Sequence, residues 1–114
     1  MSLAVLLLAL QGGAPGSLTF DVRCMIALGQ LARSTEPTYR QAGETGSQYY
    51  FGRIDARVRD DQLEETLLRE TRGMREDQQA ETLRACGAFL ELRDQRLTEA
   101  GRRLSPAEGT ATRR

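Results

Sequence analysis

Apolar residues along this chain recur at three- and four-residue intervals and almost never alternate. That pattern predicts helices and no sheet. A first helix is expected from Asp21, whose carboxylate would cap the free N–H groups, through Val22 to Ala32. It should end near Ser34, ahead of Glu36 and Pro37. Its apolar positions lie nearly all round, as in a central helix packed on several sides. A second helix carries Tyr50, Ile54 and Val58 on one face, at i, i+4 and i+8. Gly46 and Gly43 continue that face upstream. Each glycine weakens a helix by about 1 kcal/mol, so two on a buried face predict close approach of another helix. Of the consecutive aromatics, Tyr50 and Phe51 are placed toward the core and Tyr49 toward the surface.

A third helix is predicted to start at a capping box, Asp61 to Glu64, with Asp60 beside it. Leu63, Leu67, Leu68 and Met74 would form its apolar face, and Gly73 its stop. The fourth and longest helix is expected over residues 75–104. Its inner stripe is Leu83, Cys86, Leu90, Leu97, Ala100 and Leu104, widened by Phe89 and Leu92 and interrupted by Arg93. Arg93 either snorkels at the stripe's edge or pairs with a carboxylate such as Asp55. The stripe can pack inside the domain or form a coiled-coil dimer. Packing inside the domain is favoured, because the other helices need a partner.

The predicted fold class is therefore all-α, a small bundle of about four helices. Residues 17–104 form the helical domain. Ahead of it, Leu3 to Leu10 is an unbroken apolar run, far shorter than the roughly 20 residues a membrane span needs. It suits the core of a signal peptide, so residues 1–16 are read as a signal peptide or disordered leader. The alternative is a buried N-terminal helix turn of a cytosolic protein. After Leu104, Pro106 and Gly109 predict a disordered tail over 105–114.

Composition narrows the chemistry. The 114 residues include sixteen basic and sixteen acidic side chains, with no histidine and no tryptophan. Every basic residue is arginine, and asparagine is absent too. Without histidine there is no Ser–His or Cys–His nucleophilic pair. Without lysine there is no Schiff base and no P-loop. Balanced charge gives no global field for nucleic acid or an anionic membrane. Asp55, Asp60, Asp61 and Glu64 are the candidate acid–base groups, and nothing in their spacing marks a pair. The reading is of a non-enzyme without cofactor or metal.

Two cysteines, Cys24 and Cys86, sit on the core stripes of the first and last helices. In an exported protein they would form a disulfide joining those helices. In a cytosolic protein they would be buried free thiols. Two thiolates without histidine are a poor start for a zinc site. Tyr49, with Arg53 and Arg57 one turn apart beside it, is the candidate partner-binding patch. The two arginines could cradle an anion, or pair with Asp60, Asp61 or Glu64.

The run of a leader, Cys24 in a first helix, Gly46 followed by Tyr49, Tyr50, Phe51, Gly52, Arg53 and Ile54, and then Cys86 in a long helix, resembles a group of uncharacterised small exported bacterial proteins. Their cysteine spacing and helix order are similar to those of HdeA-type periplasmic acid-stress chaperones. The resemblance implies an all-α fold with one disulfide, a periplasmic or secreted location, and a chaperone-like or stress-related role toward unfolded clients. The alternative is a binder of one protein partner, such as an immunity protein or inhibitor. A monomer or homodimer without a membrane span in the mature chain is expected.

Overall fold

The computed structural model describes residues 13–112, with side chains through Leu104. The expected leader therefore lies, up to residue 12, outside the described residues. Four helices follow in order: α1 (Leu18–Leu31), α2 (Pro37–Asp55), α3 (Asp60–Gly73) and α4 (Gln79–Thr112). A single 3-10 turn, Glu76–Gln78, leads into α4. Among the described residues there is no strand, so the all-α expectation holds.

Helix α1 is the centre, and each of the others packs on it. Its buried residues Phe20, Val22, Cys24, Ala27 and Leu28 spread around the helix rather than along one stripe, as its sequence requires. Cys24 is joined to Cys86 by a disulfide across 62 residues, with Cα atoms 5.6 Å apart. First and last helices are thus covalently linked. Phe20 lies against Phe89, and Gln79 donates to the Ala27 carbonyl at 3.4 Å. Rising residue numbers on α1 meet falling numbers on α4, so the two helices run antiparallel.

Helix α2 also runs antiparallel to α1 and approaches it closely. A Cβ on Gly43 would stand 2.4 Å from the Ala32 nitrogen and 2.6 Å from the Leu28 carbonyl oxygen. One on Gly46 would stand 2.8 Å from a Leu28 methyl. Gly43 needs glycine because the α1 backbone occupies the space, whereas at Gly46 it is the Leu28 side chain that would have to shift. Gly43, Gly46, Tyr50 and Ile54 of the expected face are the buried residues of α2, but the helix ends at Asp55, so Val58 falls beyond it. The core gathers Phe20, Cys24, Leu28, Tyr50 and Cys86, with Met25, Leu31, Tyr49, Leu83, Phe89 and Leu90 around them.

Several local expectations are corrected. The N-cap of α1 is Ser17, whose hydroxyl accepts from the Phe20 N–H at 3.1 Å. Asp21 lies inside the first turn and is fully buried instead. The capping box on α3 does not form: its N-cap is Arg59, without a side-chain cap, and Asp61 pairs with Arg59 at the surface. Leu68 points outward, and the buried side chains of α3 are Thr66 and Glu70. Phe51 is exposed while Tyr49 is half-buried, because Tyr49 packs edge-on against Tyr50 with ring centres 5.3 Å apart. Helix α4 continues past Leu104 through Pro106 and Gly109 to Thr112. Proline's fixed φ suits a helix, and its cost is one lost hydrogen bond and a clash one turn back.

Candidate functional site

The sequence-selected arginines do come together, on a carboxylate the sequence reading gave another task. Asp21 is fully buried, and both Arg53 of α2 and Arg57, in the turn just past its end, reach its Oδ2. The Arg53 Nε donates at 3.1 Å. Both guanidiniums also donate to the Gly16 carbonyl, at 3.4 and 3.2 Å. Gly16 has a φ of +89°, a left-handed backbone that glycine adopts freely. That turn aims its carbonyl at the arginines just before α1 begins. Asp21 Oδ1 is buried without a hydrogen-bond partner. A buried carboxylate is costly to strand, so the two arginines fix how the end of α2 sits on the start of α1.

Phe89 of α4 extends this cluster. The Arg53 guanidinium lies 5.1 Å from its ring centre and that of Arg93 lies 5.2 Å from it. Such contacts contribute about 0.5–1 kcal/mol each at partly exposed sites. Arg93 therefore rests on an aromatic face rather than pairing with Asp55. Arg53 thus bridges the Asp21 carboxylate and the Phe89 ring, whose contact it shares with Arg93.

A second carboxylate clamp holds α3. Glu70 is buried, accepts from Thr19 at 3.4 Å and from the Arg23 Nε at 3.3 Å, and pairs with Arg69 at 3.8 Å. Thr19 and Arg23 belong to α1. Leu63, Leu67 and Met74 are half-buried and Thr66 is buried, so α3 rests on the body through these side chains as well as through this polar clamp. The groove on its outer side is lined by Asp61, Glu64, Glu65, Leu68, Arg69 and Arg72.

Of the expected partner patch, Tyr49 packs into the core edge, and Arg53 and Arg57 are engaged with Asp21. Asp55, Asp60, Asp61 and Glu64 are exposed. Among the described residues no three cysteine, aspartate or glutamate side chains are grouped to hold a metal ion. No described helix is long and apolar enough to cross a membrane. Sequence reasoning missed Asp21 and Glu70. The signal for Asp21 was available: it stands at i−3 and i−7 from Cys24 and Leu28, on the same buried face. Glu70 similarly follows Leu63 and Thr66 on one stripe.

The last feature is an apolar face without cover. Only the first turns of α4 meet α1. Beyond Leu90, the expected inner stripe opens to solvent: Leu97 is 72 % and Leu104 68 % exposed. The stripe was expected to pack within the domain, and for these residues it does not. At 34 residues, α4 is about 51 Å long. It outruns the 14-residue α1 that covers it.

Comparison with known proteins gives no match: no family model, no curated protein and no solved structure is similar to this chain.

Proposed function

We propose that this is a non-catalytic, exported helical protein, periplasmic or secreted, that acts in a chaperone-like way under acid stress. The observation that carries the reading is the fastening of α3 by Glu70, with the parallel clamp at Asp21. Carboxylates as a class lose their charge below about pH 4, while arginine keeps its own. In strong acid the chain would move from neutrality to sixteen uncompensated arginines. The ion pairs of Arg23 with Glu70 and of Arg53 and Arg57 with Asp21 are contacts between the helices that depend on that balance of charge. Self-repulsion then favours an opened state with apolar surface bared, while the Cys24–Cys86 link limits expansion. The absence of histidine places this response in strong acid rather than near neutrality.

The test is light scattering of an acid-denatured client at pH 2–3 with and without the protein. Suppressed aggregation, with early loss of amide protection in α3, is expected. A rigid monomer at that pH that leaves the client to aggregate rejects the reading.

The open stripe on α4 favours a second reading, in which the protein binds one specific protein partner at neutral pH, as an immunity protein or inhibitor does.

A further inference from the structure

Helical periodicity places Leu90, Leu97, Ala100 and Leu104 within about 80° of arc on α4. Their surroundings are asymmetric. Arg96 and Arg103 run along one edge of the stripe, Asp94 and Gly101 lie on the other, and Arg93 falls within the stripe itself. Arg96 is exposed and has no carboxylate partner among the described residues. Arg103 reaches Glu99 only at 3.9 Å, with both side chains more than half exposed. Such a pair contributes little.

Resting on the partner-binding reading, the geometry points to an occupant of definite chemistry: an amphipathic helix of another protein, with an apolar stripe and carboxylates along the edge that meets Arg96 and Arg103. Helix-in-groove recognition uses apolar anchors at this spacing, and charged edge residues set partner choice and direction. The same edge disfavours a second copy of this chain. In an antiparallel pairing of two α4 helices the arginine edges face each other, Arg96 of one copy against Arg103 of the other. In a parallel pairing Arg93 meets its own symmetry mate. Like charges so placed oppose association. A lipid surface is also a poor match, because Glu91, Asp94 and Glu99 offset most of the arginine charge of this segment, and binding to anionic lipid needs a basic polar face.

The experiment uses the full disulfide-bonded protein at pH 7 and two labelled synthetic helices of three heptads. Both carry leucines at a and d; one has glutamates along one edge and the other lysines. Fluorescence anisotropy should show saturable binding of the glutamate-edged helix at least tenfold tighter than of the lysine-edged one. Leu97→Ser with Leu104→Ser should abolish it, and Arg96→Glu with Arg103→Glu should reverse the preference. These side chains are exposed, so circular dichroism of the variants should match the parent. Equal binding of the two helices overturns the assignment of an acidic edge but leaves partner binding standing. Binding of neither overturns both. Self-association in sedimentation that Leu97→Ser abolishes, or binding to phosphatidylglycerol vesicles that it abolishes, also overturns the assignment.

Discussion

The Tyr50 hydroxyl donates to the backbone carbonyl of Cys86 at 2.8 Å, inside the core. One side chain of α2 is thereby tied to the turn of α4 that carries the disulfide. Tyr50 is fully buried, and burial is the main reason its pKa lies well above the ordinary 10.0, with the neighbouring Tyr49 adding to the rise and Arg53 opposing it.

The folded state favours the neutral phenol, so its stabilising effect is complete below pH 10.0 and is lost as pH rises beyond that value. Denaturant midpoints should fall above pH 10 in the parent protein and fall less in Tyr50→Phe. At neutral pH the variant should lose about 1 kcal/mol, the usual net worth of a hydrogen bond. An identical alkaline decline in both proteins would count against Tyr50 as the responsible group.

The disulfide closes a loop of 62 residues, for which chain entropy gives a stabilisation of about 4 kcal/mol. The pair Cys24→Ala and Cys86→Ala should lower unfolding free energy by roughly that amount, a large share of the 5–15 kcal/mol typical of a domain. Intact mass should rise by two hydrogens on reduction of the unfolded chain.

Two glycines of opposite context give a clean contrast. Gly43→Ala drives a methyl into the α1 backbone and should cost about 1–3 kcal/mol. Gly29→Ala meets nothing within 4 Å and should stabilise by about 0.5–1 kcal/mol. Thermal melts of the two variants should move in opposite directions.

Arg53 and Arg57 share one carboxylate oxygen, so each covers for the other. Arg53→Ala and Arg57→Ala alone should each cost about 1 kcal/mol, given their partial exposure. The double variant strands a buried Asp21 and should cost about 3–5 kcal/mol. Adding Asp21→Asn should recover part of that loss. Strictly additive single effects would show that the two arginines act independently.

Helix type and number were legible because the apolar intervals hold over long stretches, and the glycine face of α2 was legible because Gly43 and Gly46 stand at helical spacing with Tyr50. The disulfide followed from two cysteines on two buried stripes. What escaped were polar residues placed in the interior. Asp21 reads equally well as a cap, and Ser17 is a cap of the same class four residues earlier. Glu70 resembles any surface glutamate of α3 until α1 supplies Thr19 and Arg23. The outer half of α4 was misplaced for a different reason. Periodicity shows that a face is apolar, but the lengths of the neighbouring helices decide whether it is covered.

Because α2, α3 and α4 all rest on α1, a change in α1 is felt at several contacts at once, whereas a change in an outer helix is felt mainly at one. Tolerance to substitution should therefore be graded along the chain. Leu18–Leu31 should accept the fewest replacements in a saturation library selected for folding, and the outer turns of α4 the most. Any constraint that such a selection fails to explain at Leu97 or Leu104 would then reflect binding rather than stability.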